Sequence, residues 1–123
     1  MEPVARRDDL ENLELPAGAA GGTIRYFRGE KYGVELSLLN VEIMPGNGAP
    51  PHTHEYDELF VIHAGRGRFT IGRESIEAGP GDVVVVPSGL PHGFVALGPE
   101  PLQQTSVHGH ETFEQTVLPT RQT

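Results

Sequence analysis

The sequence predicts an all-β domain, either an antiparallel barrel or a sandwich, built from eight to ten short strands. Glycine and proline, with 16 and 11 residues among 123, make up about a fifth of the chain. Such frequent turn residues favour short strands over long helices. From residue 23 onward the apolar residues follow no sustained helical period, which disfavours helices. A length of 123 residues suits one domain.

Turn residues bound each expected strand. We expect strands at residues 23–28, 34–44, 58–63, 68–71, 74–77, 83–86, 94–97, 102–107 and 114–118. The segment 34–44 is apolar at both parities, which is typical of a strand covered on two sides. In the segment 58–63, Glu58, Phe60 and Ile62 share one face of the strand. Gly72 and Arg73 lie between two expected strands and predict a hairpin turn.

Residues 1–22 are polar and end in a glycine-rich stretch. We interpret them as an N-terminal arm and linker with one short strand near residues 10–15. Residues 23–123 then form the single barrel domain.

The composition excludes several functional classes. A net charge of −8 argues against nucleic acid and against an anionic membrane surface, since both require a positive patch. The longest apolar stretches, 59–62 and 83–86, are far too short to span a membrane. The first residues contain no apolar core of a signal peptide, so we expect a soluble, cytoplasmic protein. The chain has no cysteine, which excludes disulfides, thiolate ligands and cysteine nucleophiles.

A cluster of metal-ligand residues is the strongest functional signal. His52 and His54 lie two residues apart, so both imidazoles point to one face of an extended segment. Glu58 keeps the same parity four residues later. Pro50-Pro51 stiffens the approach to this cluster and suits the start of a strand. A bare His-x-His is more often an ordinary surface or core pair, but the glycines and prolines that frame this cluster and the second one favour a metal site.

The second cluster ends at His92, which follows a tight turn made by Pro87, Gly89 and Pro91. Three imidazoles and one carboxylate suit Mn(II), Fe(II), Ni(II), Cu(II) or Zn(II) better than Ca(II) or Mg(II), which prefer oxygen ligands. Four protein ligands leave one or two positions open on a five- or six-coordinate ion, and open positions distinguish a catalytic metal from a structural one.

Together the two clusters resemble the cupin superfamily. Its first motif, G-x5-H-x-H-x3-E-x6-G, is matched by Gly46, His52, His54, Glu58 and Gly65 with every spacing met. Its second motif, G-x5-P-x-G-x2-H-x3-N, is matched by Gly81, Pro87, Gly89 and His92, while Ala96 stands where Asn is usual.

The resemblance implies a double-stranded β-helix, or jelly roll, with a metal at its centre. It implies that His52, His54, Glu58 and His92 are the metal ligands. It also implies a homodimer, in which the N-terminal arm is the natural segment to pack across the interface.

Other residues are candidates for roles around the ion. His108 and Tyr56 are candidate catalytic bases or substrate contacts, and His110 is a weaker one, because Gly109 breaks the strand before it. Partners that hold the imidazoles are sought among Tyr56, Asp57, Gln104 and Ser106. An apolar wall is expected from Val41, Phe60, Ile62 and Phe94. The facing of Glu35 and Ser37 stays open, and Arg25, Arg28, Arg66, Arg68 and Arg73 are candidates for anion contacts.

The sequence therefore favours a metal-dependent enzyme that acts on a small organic substrate. A dioxygenase acting on an enol, diketone or phenol is the leading version, since the predicted ligand set resembles that of cupin dioxygenases. An isomerase, decarboxylase or lyase that uses the metal as a Lewis acid is the first alternative. A non-catalytic metal- or ligand-binding module is the second. A vestigial site is disfavoured, because it has no chemical need for all four ligands.

Overall fold

The computed structural model describes residues 3–13 and 22–112, together with the backbone of residues 116–117. These parts of the chain form eleven strands and two short 3-10 helices, Arg7–Asp9 and Gly29–Tyr32. Neither helix is long and apolar enough to cross a membrane, and the described residues contain no other. The strands are β1 Glu11–Leu13, β2 Gly22–Phe27, β3 Ser37–Ile43, β4 Gly48–Thr53, β5 Glu58–Ala64, β6 Gly67–Ile71, β7 Glu74–Ala78, β8 Val83–Val86, β9 His92–Ala96, β10 Leu102–His108 and β11 Thr116–Val117.

The strands form two antiparallel sheets. The first sheet has the order β1-β2-β3-β10-β5-β8, and the second has the order β11-β4-β9-β6-β7. Strands that are distant in sequence, such as β3, β10 and β5, are therefore neighbours. This arrangement is a jelly roll, and it confirms the predicted all-β antiparallel fold.

The interior changes from apolar to polar along the strands. At one end Ile43 and Leu102, which face each other across β3 and β10, are completely buried. At the other end His108 of β10 lies opposite Glu58 of β5 and Ser37 of β3, and all three are buried. The apolar end stabilises the fold, and the polar end collects the residues singled out from the sequence.

The strand pattern predicted from the sequence is confirmed in most places, and its main differences concern β3 and β4. Strand β3 begins at Ser37, three residues later than expected, and the preceding Val34 and Leu36 are 42% and 51% exposed. The segment 34–36 is therefore not covered on two sides. Strand β4 was not predicted in full, because its two prolines cannot donate hydrogen bonds to a neighbour. The pairing of β4 with β9 is irregular at this point, between Ala49 and His52.

Part of the N-terminal arm belongs to the first sheet of its own chain. Strand β1 lies within the predicted segment 10–15 and pairs with β2. Glu11 accepts hydrogen bonds from Arg28 at 2.9 Å and from Lys31 at 3.4 Å. The hydrogen bond from Arg28 lowers the pKa of the Glu11 carboxyl. The linker at residues 14–21 lies outside the described residues, and exchange of the arm between subunits stays a prediction.

Candidate metal centre

Three strands and one loop bring together the four residues predicted to bind a metal. His52 lies on β4 opposite His92 on β9, Glu58 begins β5, and His54 follows the end of β4. Each residue is at most 5% exposed. One ligand-type atom from each residue lies within 4.8 Å of all the others, which is compact enough for a single ion.

The turn before His92 also fixes His54. The backbone N–H of Gly89 donates a 2.7 Å hydrogen bond to the carbonyl of His54. Gly89 has a φ of +80°, a conformation that glycine adopts without strain. The glycine of the second motif therefore ties the two motifs together.

The tautomers of two imidazoles follow from their backbone partners. Nδ1 of His52 lies 2.8 Å from the carbonyl oxygen of Pro50, and Nδ1 of His92 lies 2.8 Å from that of Leu90. A carbonyl can only accept a hydrogen bond, so each Nδ1 carries the hydrogen. This leaves Nε2 of each ring directed into the group, as a metal ligand requires.

Nε2 of His54 and Nε2 of His92 converge on one oxygen of Glu58. Oε1 lies 2.8 Å from Nε2 of His92 and 3.1 Å from Nε2 of His54. Because Nδ1 of His92 carries the hydrogen, a neutral His92 presents an Nε2 lone pair to this oxygen, so a proton on the ring or a metal ion must lie between the two atoms. With metal–ligand distances near 2.1 Å, adjacent octahedral ligands lie about 3 Å apart. The observed spacing therefore fits a metal ion.

The charge states of the group also suit a metal. Burial lowers the pKa of His52 to about 4, so its imidazole is neutral at pH 7. Burial raises the pKa of Glu58, but hydrogen bonds from His108, His54 and His92 outweigh it and hold the pKa far below its usual range. Glu58 is therefore a carboxylate, and the neutral imidazole and the anion are the forms that bind divalent transition metals.

The second oxygen of Glu58 is held by two residues of β10. The Ser106 hydroxyl donates a hydrogen bond to Oε2, and Nε2 of His108 lies 3.2 Å from the same atom. His108 Nε2 also lies 2.8 Å from Ser106 Oγ, and its Nδ1 lies 2.7 Å from the Tyr56 hydroxyl. A Tyr56–His108–Ser106 network thus fixes the carboxylate with Oε1 directed at the imidazoles of His54 and His92.

This network shows where two predicted catalytic residues lie. His108 is 1% exposed, both of its ring nitrogens have partners, and its ring packs edge-on against that of His54 at 4.9 Å. The Tyr56 ring stacks on His54 at 4.7 Å and on His110 at 5.4 Å. His110 itself is half-buried and bonds to Thr112. The catalytic role of His108 and Tyr56 stays a prediction.

The remaining polar candidates separate into interior and surface residues. Ser37 is completely buried and donates to the carbonyl of His110, whereas Glu35 is exposed. Asp57 accepts a hydrogen bond from the backbone of Ser88. Gln104 is buried on the interior face of β10. Within the described residues its amide forms no hydrogen bond to His52, His54, Glu58 or His92.

An aromatic cluster borders the metal-ligand group. Phe60, Phe69 and Phe94 pack with ring centroids 5.2 to 5.6 Å apart, and the Phe60 ring lies 6.2 Å from that of His92. Phe69 was not predicted, although its alternation with exposed Arg68 and Thr70 marks it as interior. Phe94 is only half-buried, unlike Phe60 and Phe69.

Three of the five candidate arginines have partners at the surface. Arg28 pairs with Glu11 and Arg68 with Glu77, at 2.9 and 3.1 Å. Arg25 donates to the carbonyl of Arg7. These contacts give the three side chains structural roles away from the buried group.

Comparison with known proteins decides the family. The protein-family model described as "Cupin domain" matches residues 39–108, which is more than half of the chain and includes both histidine motifs. The chain is a cupin. Curated relatives of this cupin include an uncharacterised protein of Streptomyces coelicolor, 29% identical over 69% of this chain and 78% of that protein. An uncharacterised protein of Methanocaldococcus jannaschii is 32% identical over 58% of each chain.

Solved structures similar to this cupin include two kinds of enzyme. The polyketide cyclase RemF from Streptomyces resistomycificus is 25% identical, with a TM-score of 0.77 over 98% of this chain and 88% of that chain. A point mutant of Bacillus subtilis oxalate decarboxylase is 30% identical, with a TM-score of 0.74. The cupin spans 87% of its own length in that match but only 29% of the decarboxylase chain. Another structure of the Bacillus enzyme, 27% identical with a TM-score of 0.77, was used to study its Mn(II) centres.

Proposed function

We propose that this cupin is a metal-dependent enzyme that acts on a small organic substrate. One divalent transition ion (Fe, Mn, Ni, Cu or Zn) is held by His52, His54, Glu58 and His92. The observation that supports this proposal is the convergence of His54 and His92 Nε2 on a single carboxylate oxygen. For His92, whose Nδ1 carries the hydrogen, only a cation between Nε2 and the carboxylate oxygen satisfies both atoms, either a proton or a metal ion.

The protein and the ion have separate roles in this proposal. When bound, the ion supplies a Lewis acid and, if it is iron, manganese, nickel or copper, a redox partner for O₂. Ser106 and His108 hold the Glu58 carboxylate in one orientation, which keeps its negative charge directed at the ion. Phe60, packed beside His92, keeps water from that side of the group. The substrate takes the positions that four protein ligands leave open.

The leading reaction is a dioxygenase-type cleavage of an enol, diketone or phenol. Such a substrate presents oxygen atoms to the ion and an apolar body to the phenylalanine cluster. The test is turnover of a candidate panel with and without O₂, using the metal-loaded protein. Loss of turnover under anaerobic conditions, with one O₂ consumed per product, is the expected result, and undiminished anaerobic turnover eliminates the oxygenase.

The similar structures favour a second candidate, a reaction other than oxygenation, for which we propose that the metal is a Lewis acid. RemF is described as a polyketide cyclase and the Bacillus enzyme as an oxalate decarboxylase. A cyclase, decarboxylase, isomerase or lyase of this kind needs a proton acceptor, for which Tyr56 and His108 are the proposed residues. Turnover that persists without O₂ and falls in Tyr56→Phe supports this candidate.

A non-catalytic binding module is the remaining candidate, because a fold alone does not establish chemistry. In that case the metal-loaded protein binds organic ligands and returns them unchanged. Recovery of every bound candidate ligand intact, aerobically and anaerobically, would replace the enzyme proposal with this one.

We also propose that the cupin forms a homodimer through the outer face of its first sheet. Val83 and Val85 on edge strand β8 are 51% and 60% exposed, and Leu59 of β5, opposite Val85, is 36% exposed. An apolar edge strand invites pairing or cover by another chain. Sedimentation at micromolar concentration tests the dimer. The cytoplasmic location and the absence of nucleic-acid or membrane partners stay predictions.

A further inference from the structure

Gln104 is a buried amide whose hydrogen bonds are missing from the protein. Its side chain lies on the interior face of β10 and is 2% exposed. In the described chain, neither Oε1 nor Nε2 of Gln104 has a hydrogen-bond partner. Buried polar groups nearly always have partners, and each exception requires an explanation.

The surroundings of Gln104 are apolar on both sides. It lies opposite Val41 of β3 and Ile62 of β5, which are 8% and 1% exposed. The pairing of β10 with β5 shifts register between Gln103 and Gln104. Such irregularities redirect side chains and are frequent beside active sites. A leucine at position 104 would fill this environment without any missing hydrogen bond.

Gln104 continues the polar row that begins at the metal-ligand group. The interior positions of β10 are, in order, His108, Ser106, Gln104 and Leu102, and the first two contact Glu58. Successive interior positions on a strand are about 7 Å apart. Gln104 makes no hydrogen bond to a ligand imidazole, and at this spacing its amide can contact the far end of a molecule bound at the metal-ligand group.

We propose that Gln104 determines substrate specificity by binding a neutral polar group at the far end of the substrate. This proposal rests on the proposed metal site, which binds the near end. An amide donates and accepts, so its complement offers both functions, as do a carboxamide and a hydroxyl beside a carbonyl. Phe60, in register with Ser106 between the two ends, suits an aromatic or apolar body.

The first test uses metal-free protein and the substitution Gln104→Leu. Because the amide has no partner to lose, we expect Leu to leave the melting temperature unchanged or to raise it by about 2–8 °C. Gln103→Leu is the matched control, since this exposed amide on the opposite face donates to Glu42. A clear fall in the melting temperature of Gln104→Leu alone would show a structural role and overturn the proposal.

The second test measures binding to metal-loaded protein by calorimetry, with 3,4-dihydroxybenzamide and 4-methylcatechol as probes. Both probes present the same pair of metal-binding oxygens, and only the first carries an amide. We expect wild type and Gln103→Leu to prefer the amide by about tenfold or more, and Gln104→Leu to lose this preference while it keeps its affinity for 4-methylcatechol. Equal binding of the two probes by wild type would overturn this inference alone. Failure of both probes to bind metal-loaded protein would show that the ion offers no open position to a substrate, and would overturn the proposed enzyme function and this inference with it.

Discussion

Ser106→Ala tests how strongly the second oxygen of Glu58 depends on its hydroxyl donor. The substitution removes one buried atom, which donates to Glu58 Oε2 and contacts His108 Nε2. A hydrogen bond to a buried charge contributes about 2 kcal/mol, so the metal-free variant should lose about that much stability. For a chain of this size the melting temperature then falls by roughly 10 °C.

The same substitution should weaken metal binding by about 10- to 100-fold, because groups that orient a ligand contribute to affinity on that scale. Chemical denaturation measures the first effect, and competition with a chromophoric chelator measures the second. Thr105→Val is the matched control. The Thr105 hydroxyl lies on the outer face of β10, where it contacts His63 of β5 and Asn40 of β3. Metal affinity should therefore not change in this variant. Equal affinity and stability for Ser106→Ala and wild type would refute the role assigned to this network.

Three further predictions test the electrostatics, the packing and the assembly. The pKa of His52 is about 4 in the folded protein and near 6.5 when unfolded, so the unfolded chain binds more protons below pH 6.5. The free energy of unfolding of the metal-free protein should fall by about 2 kcal/mol between pH 7 and pH 5, and that of the His52→Gln variant should fall by less. Equal stability of the wild type at the two pH values would contradict this prediction. Gly48→Ala places a methyl group 1.8 Å from the Phe94 carbonyl oxygen and should lower the free energy of unfolding by about 3 kcal/mol or more, measured by chemical denaturation. A variant as stable as the wild type would contradict the β4–β9 pairing. Val85→Glu places a charge on the proposed dimer face and should give a folded monomer in sedimentation; an unchanged dimer would exclude this face.

The sequence carried enough information for the interior face of the central strands and for the four ligand-type residues. Alternation along residues 58–63 placed Glu58, Phe60 and Ile62 on one face, and all three are buried. Parity is a local property, so it survives without knowledge of the fold. The glycines and prolines of the two motifs mark turns that direct the histidines, as the hydrogen bond from Gly89 to His54 demonstrates.

The partners of Glu58 could not be predicted, because they depend on long-range pairing. Ser106 and His108 lie 48 or more residues away in sequence and reach Glu58 only because β10 pairs with β5. The missing partners of Gln104 are likewise a property of its neighbours across two strands. Local sequence indicates which side chains face inward, and it does not indicate which of them meet.

Metal content of the purified protein tests the central claim most directly. After incubation with each candidate ion and removal of excess metal, elemental analysis should give about one ion per wild-type chain for at least one metal. His54→Ala, which removes an imidazole whose Nε2 lies 3.1 Å from Glu58 Oε1, should bind almost none. Thr105→Val serves as the folded control and should match wild type. Stoichiometric metal in His54→Ala, or none in wild type with any of the candidate ions, would contradict the account.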